Sequence, residues 1–355
     1  MSLLINLSFI LTKPTGTTTY AFNLLPHLKS LQPTLLTSQS FPNYNCYQTP
    51  VNQTSEQGLK GHLYRLLWTQ FQLPQIYKKL KSSLLFSPLP EAPLYSNCRF
   101  VVTSFDMIPL RFGKRFSPLT PYHRYYTPQV FKQAQHIICI SQTTAKDITD
   151  FYQIPASKIT PIPLAHDRTH FLPLNLPTSN YFLYIGRQDP YKNIKRLISA
   201  FADLPNCEDY ELWLVGPIDS RYTPTLKVQV AELGVTNQVK FLDYIPDSEL
   251  PKIINQAIAL VFPSLWEGFG LPVLEAMACG TPVITSNLSS LPEVAGDAAI
   301  LINPYNTGEI TEAMEAIATD SGLRSRLSSQ GITHSQQFSW EKTGKATVEV
   351  LSRYI

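Results

Sequence analysis

The sequence predicts an α/β protein with room for two domains, the second of them a parallel sheet with helices packed on it. Three observations predict this. At 355 residues the chain is long enough for two domains of ordinary size, each with its own core. From residue 181 onward, short apolar runs of strand type alternate with segments of helical length. The run from Phe262 to Thr285 reads as strand end, glycine turn, helix, glycine stop and strand.

In the second half the predicted strands are Tyr181–Ile185, Glu211–Val215, Lys240–Leu242, Ala259–Phe262, Pro282–Thr285 and Ala298–Ile302. Helices are predicted near 193–202, 223–233, 247–256, 271–279 and 290–295. Such alternation implies right-handed βαβ units, and ligands then bind beyond the carboxyl ends of the strands. Gly268 and Gly270 let the chain turn sharply, Pro272 suits a first helical turn, and Gly280 suits the residue past a helix end. A helix start of this kind favours an anion, phosphate above all. Glu267 and Glu275 lie eight positions apart in the same run. Two acids beside a phosphate site make sense if they accept hydrogen bonds from neutral hydroxyls, as on a sugar and a ribose.

The first half is less regular. Leu3–Leu11 reads as a first buried strand, leading through Lys13-Pro-Thr-Gly16-Thr17 into a helical pattern that ends near Leu31. Residues 32–60 are polar and rich in Pro, Asn and Gln, and read as a long loop. Strands return at Phe100–Thr103 and His136–Ile140, and Ser141 is placed to cap the next helix. Residues 63–81 carry apolar side chains at 63, 66, 67 and 71 and basic ones at 65, 78, 79 and 81. Such a stretch can lie on an anionic membrane surface, but two core-facing helices with a solvated Lys face are the plainer reading.

The composition, 44% hydrophobic and 15% charged, is that of a soluble globular protein rather than a disordered one. The apolar start is too short to span a membrane and lacks the basic lead and cleavage pattern of a signal peptide. The five cysteines are odd in number, without zinc or disulfide spacing, which fits a reducing cytoplasm. Charge is divided unevenly. Residues 1–150 hold 14 Lys and Arg against 5 Asp and Glu, whereas the remainder holds 15 against 21. A basic half suits an anionic lipid surface or a lipid-phosphate acceptor; no nucleic-acid motif accompanies it. His123, His136, His166 and His170 are scattered and read as structural or surface groups. No Gly-x-Ser-x-Gly elbow supports an esterase.

The Glu267–Glu275 run, with Gly-Phe-Gly-Leu-Pro between, resembles the donor site of the retaining group 1 (family 4) glycosyltransferases of GT-B fold. Gly186-Arg187-Gln-Asp-Pro-Tyr-Lys192-Asn193 resembles that family's Gly-Arg…Lys-Asn element. The resemblance implies two Rossmann-like domains facing a central cleft. Residues 1–165 would form the acceptor domain, 166–180 a linker and 181–335 the nucleotide-sugar domain, with 336–355 a helix crossing back to the first. It implies that Arg187 and Lys192 hold a diphosphate, one as a planar fork and one as a point charge, in place of a metal ion. No metal or other cofactor is then expected. Glu267 would accept from the transferred sugar and Glu275 from the ribose. Gly186, Gly268, Phe269, Gly270 and Leu271 would line the donor, Ile245 would frame the base, and Gly16 would approach the donor from the first domain. Pro292-Glu293-Val294 also matches the family, as local structure.

On the acceptor side the resembling subgroup, which contains surface-polysaccharide mannosyltransferases, reads His-Asp-x-x-Pro. This chain has Phe105-Asp106-Met-Ile-Pro109, so Asp106 is retained and the His is not. The expected function is retaining transfer of a sugar, mannose among the candidates, from a GDP- or UDP-sugar to a growing glycan or lipid-linked acceptor. The expected place is the cytoplasm, peripheral on the inner face of the membrane. The alternative is a catalytically silent nucleotide-sugar-binding protein of the same fold that acts as an assembly partner, and Phe105 is its support.

Overall fold

The computed structural model describes residues 2–11, 16–113 and 119–355. The chain divides into two compact units, one of residues 1–164 with 340–355 and one of residues 165–339. Each is a parallel sheet with helices around it.

The first sheet has seven strands: β1 (Leu3–Asn6), β2 (Thr34–Thr37), β3 (Asn45–Gln48), β4 (Leu84–Ser87), β5 (Phe100–Ser104), β6 (His136–Cys139) and β7 (Ile159–Pro161). Their order is β3-β2-β1-β4-β5-β6-β7, every pair parallel. β1, β4 and β5 are buried on both faces along their whole length, in keeping with the apolar runs that open them. Helix α1 (Gly16–Leu24) follows β1, while α2 (Gly58–Phe71) and α3 (Leu73–Lys79) lie between β3 and β4. Ser141 caps the helix Gln142–Tyr152, its Oγ accepting from Thr144 N–H at 3.0 Å. The last helix, Trp340–Ser352, packs tightly on this unit. A Cβ on Gly344 would sit 2.2 Å from Cβ of His27, so only glycine permits that approach. The Thr343 hydroxyl donates to Pro163 O (2.7 Å), and Tyr354 OH lies 3.1 Å from His136 Nδ1.

Three readings of this half need correction. The strand predicted over Leu3–Leu11 ends at Asn6, and Leu7–Ile10 continue as buried turn rather than strand. Residues 32–60 are not one loop but contain β2 and β3. β3 is a polar edge strand, and edges tolerate polar residues because one side of the ladder faces solvent. α2 is not core-facing through its leucines. It turns Gly61, Arg65, Trp68 and Thr69 inward and leaves Leu63, Leu67 and Phe71 exposed.

The second sheet has six strands: β8 (Tyr181–Ile185), β9 (Glu211–Val215), β10 (Val239–Leu242), β11 (Ala259–Phe262), β12 (Val283–Ser286) and β13 (Ile300–Ile302). Their order is β10-β9-β8-β11-β12-β13, again all parallel. The helix Ile194–Ala202 buries Ile194, Leu197, Ile198 and Phe201, the one-sided spacing of an amphipathic helix on a sheet. No helix among the described residues is long and apolar enough to cross a membrane.

Candidate active site

In the second sheet β8 stands between β9 and β11, so successive connections leave it on opposite sides. The crevice beyond the carboxyl ends of β8 and β11 is the position where open α/β sheets bind ligands. Two loops meet there, Gly186–Asn193 after β8 and Pro263–Gly270 after β11. Leu265 N–H donates to Tyr191 O at 2.8 Å. Asn193, in the left-handed region at φ +63°, donates through Nδ2 to Pro263 O (3.1 Å) and Pro304 O (2.6 Å).

The junction sets Lys192 Nζ 2.6 Å from Glu267 Oε1, with the two side chains 13% and 10% exposed. The rings of Tyr191 and Phe262 each lie 5.4 Å from the ammonium. Glu267 is held from behind. Its N–H donates to Ser289 Oγ (3.0 Å), and the Ser290 hydroxyl donates to Glu267 O (3.0 Å) and Phe269 O (2.7 Å). Gly270 opens the helix Leu271–Ala278 at φ +115°, and a Cβ there would lie 2.7 Å from Leu291 Cδ2. The turn therefore needs glycine twice over, for backbone and for space. Phe269 is buried, and Gly268 and Leu271 flank the same turn.

Arg187 stands apart from the Lys192–Glu267 pair. Its Nε is 3.2 Å from Asp189 Oδ2, its side chain is 66% exposed, and its carbonyl accepts from Tyr184 OH at 2.8 Å. Gly186 precedes it at the strand end. Glu275 is in the second turn of the helix, partly accessible. Burial first, and then the charge of Asp247, push its carboxyl up to about 7. Ile245 is half-buried in the loop before Asp247.

The first unit repeats the logic with different material. β1 stands between β2 and β4, and beyond the ends of β1, β4 and β5 lies a cavity of about 480 Å³. Phe105 and Asp106 line it. Phe105 packs edge-on against Tyr20, ring centroids 5.2 Å apart, and its carbonyl accepts from Thr144 Oγ1. Asp106 Oδ1 accepts from Ile108 N–H at 3.0 Å, the geometry of a turn cap. Arg65 of α2 makes a buried bidentate pair with Glu91, Nε to Oε2 and Nη2 to Oε1 both at 2.7 Å. Its Nη1 donates to Gln53 O (2.9 Å), and its Nη2 lies 3.0 Å from His62 Nδ1. His123 lines the same cavity, its imidazole pushed down to about 4 by burial, so it is neutral near pH 7. A Cβ at Gly16 would meet nothing within 4 Å among the described residues; Lys13, Pro14 and Thr15 lie outside them.

Sequence reasoning missed Ser289, Ser290 and the Arg65–Glu91 pair. A hydroxyl pair just past a strand end was the available signal for the first two. Nothing local marked the third, whose partners are 26 residues apart. Among the described residues, no group of three His, Cys, Asp or Glu is placed to hold a metal ion.

Comparison with known proteins gives concordant results. Residues 168–334 match the family described as Glycosyl transferases group 1, and residues 14–170 match Glycosyltransferase Family 4. The chain is 33% identical over 227 residues to O-antigen chain mannosyltransferase B of Escherichia coli, covering 61% of this chain and 60% of that one. It is 29% identical over 283 residues to the serotype-specific mannosyltransferase WbdA of Escherichia coli, covering 72% of this chain but 33% of the relative. It thus spans 60% of the length of the first and 33% of the second. The structure superposes on HepE of Anabaena, solved with UDP and glucose, with TM-score 0.78 and 18% identity over 99% of this chain and all of that one.

Proposed function

The chain belongs to the group 1 (family 4) glycosyltransferases of GT-B fold, and from that membership we propose that it transfers a sugar, mannose first among the candidates, from a GDP- or UDP-sugar to a growing glycan or lipid-linked acceptor, with retention at the anomeric carbon. The observation that carries this reading is the Lys192–Glu267 pair at the joined ends of β8 and β11. Its two members are the groups such a reaction uses. Cleavage at the anomeric carbon loads charge onto the leaving diphosphate, and fixed cations aimed there lower the barrier. Lys192 supplies one cation and Arg187, open at the rim, the other; together they stand in for a metal ion. Without substrate, Glu267 neutralises Lys192. A bound diphosphate would draw the ammonium and free Glu267 to accept from the sugar hydroxyls. Glu275 would take the ribose. Mannose is favoured because the relatives named above carry mannosyltransferase names.

We place the protein in the cytoplasm, peripheral on the inner face of an anionic membrane. Two features support this: the basic excess of residues 1–150, and the exposed Lys78, Lys79 and Lys81 at and just past the end of α3. A second reading, a silent nucleotide-sugar-binding assembly partner, is favoured only by Phe105, which cannot donate a hydrogen bond. One assay separates the two: steady-state release of nucleoside diphosphate from a panel of GDP- and UDP-sugars, after thermal-shift screening for binding. Release is expected with at least one donor, in excess EDTA. No release from any donor that binds would leave the silent reading, and release abolished by EDTA and restored by Mg²⁺ would overturn the two-cation mechanism.

A further inference from the structure

Two further depressions open on the first unit, apart from the crevice beyond β1, β4 and β5. One, of about 740 Å³, lies between the end of the edge strand β3 and helix α3; the other, of about 540 Å³, lies beside α2. They share Pro50, Trp68 and Gln72, and so form one groove round the corner from α2 to α3. None of its lining residues lines the crevice.

The walls combine aromatic rings with uncharged hydrogen-bonding groups. Tyr64, Leu67 and Phe71 follow one another on one side of α2 and are 63%, 47% and 68% exposed, an apolar face that a solvated helix does not carry without a use. Tyr64 and Phe71 are seven residues apart, about 10 Å along the helix axis, roughly the reach of two linked sugar rings. Gln48, Asn52, Gln72 and Gln75 supply side-chain amides. Among the lining residues the one charge is Lys79, whose ammonium lies 5.8 Å from the centre of the Tyr47 ring. Two side chains in the walls are more than nine-tenths buried, and each keeps a polar atom without a partner: Thr49 Oγ1 and Gln53 Oε1. The backbone of Gln53 is fixed, its carbonyl accepting from Arg65 Nη1 at 2.9 Å, while its amide oxygen goes unserved. A buried acceptor in that state costs free energy until a donor reaches it.

These features select a ligand. A sugar hydroxyl both donates and accepts, so it serves the Gln53 oxygen and the Thr49 hydroxyl alike. A sugar ring also has an apolar face of C–H groups, which suits the electron-rich face of Tyr or Phe. A lipid surface would serve neither orphan and would bury the amides unpaired. We propose that this groove binds a neutral glycan chain, as a second carbohydrate site outside the crevice. That the chain is the trailing part of the growing glycan rests on the transferase reading; the groove itself does not.

The test is calorimetric titration of the full chain with mannose, linear α-mannohexaose and maltohexaose. At least one hexasaccharide should bind saturably, and at least about tenfold tighter than mannose, because several rings then touch the groove. Tyr64→Ala and Phe71→Ala, at exposed positions, should each cost that hexasaccharide about fivefold. Tyr95→Ala, at an 83% exposed ring outside the groove, should stay within about twofold of the native protein. Gln53→Met separates binding from a structural role: affinity should fall about fivefold while Tm holds or rises, since the orphaned oxygen leaves with the amide. No saturable binding of either hexasaccharide would overturn the proposal. So would full affinity in the double variant Tyr64→Ala, Phe71→Ala, because the glycan would then sit elsewhere; if that variant had also lost binding to anionic vesicles, the face would be a membrane contact. A lower Tm with unchanged affinity in Gln53→Met would overturn it too. Titration needs no turnover, so absent nucleoside diphosphate release would sink the transfer reading and leave the groove standing, and a groove without glycan affinity would leave transfer standing.

Discussion

The two units solve the same topological problem with opposite materials. Both gather their candidate site residues where a central strand sends its neighbours to either side, β1 in one and β8 in the other. In the second unit that place is filled by charge: Lys192, Glu267, Arg187 with Asp189, and Glu275 with Asp247 behind it. In the first, apolar side chains such as Phe9, Leu11, Leu66 and Phe105 and the polar Ser104 and His123 surround a self-neutralised Arg65–Glu91 pair. The difference teaches how a fold divides labour. A diphosphate and its hydroxyls need donors and acceptors at fixed points, which only a few residue types supply. An apolar group needs volume, which many residues supply.

The hardest test of the contrast is Lys192→Ala. Losing one charge-stabilising donor should slow transfer by roughly a hundredfold or more, as should Arg187→Ala. Lys192→Ala should in addition destabilise the protein by about 3 kcal/mol, since Glu267 keeps a largely buried charge without its partner. The double change Lys192→Ala with Glu267→Gln should recover the Tm but not the rate. Near-normal turnover in both single variants would remove the charged unit from the mechanism.

The basic surface of the first unit comes next. Changing Lys78, Lys79 and Lys81 to Glu should weaken binding to anionic vesicles, each lost cation being worth on the order of 1 kcal/mol, and added salt should mimic the change. Co-sedimentation indifferent to both would reduce these lysines to a solvated face.

Glu275 gives an effect of about tenfold with a definite sign. Its folded carboxyl keeps a proton to about pH 7, whereas an ordinary glutamate releases it near 4.5. The folded state thus binds more protons between those values, and stability falls as pH rises through that window. Ribose hydroxyls need the ionised acceptor, so affinity for free nucleoside diphosphate should rise from about pH 6 to about pH 8, by up to roughly tenfold. Glu275→Gln should flatten both profiles. Glu267→Gln should leave the affinity profile alone and damage transfer instead; equal loss of affinity in the two variants would mean that their roles are not divided in this way.

The smallest effect is expected at Phe105. Phe105 sits edge-on to Tyr20 and lines the first unit's cavity, so Phe105→His should weaken acceptor use by a few-fold, roughly 1 kcal/mol, and leave donor hydrolysis intact. A gain of hydrolysis in the variant over an inert native protein would favour the silent reading.

What the sequence by itself determined is the second sheet, and the reason is local. Strands such as Tyr181–Ile185 and Ala259–Phe262 are short apolar runs bounded by Gly and Pro, and their ends in the structure coincide with those boundaries. The Gly270 turn is likewise legible, because a backbone at φ +115° admits little else. Tertiary structure alone decided the rest. Strand β3 is polar and takes its conformation from the ladder with β2, not from its own preference. The leucines of α2 have the period of a buried face, yet the helix turns the side of Gly61, Arg65 and Trp68 inward, where Arg65 meets Glu91, and periodicity cannot say which side a distant partner will claim. Lys192 and Glu267 are 75 positions apart, and only the pairing of β8 with β11 brings a cation and a carboxylate from two separate turns to 2.6 Å.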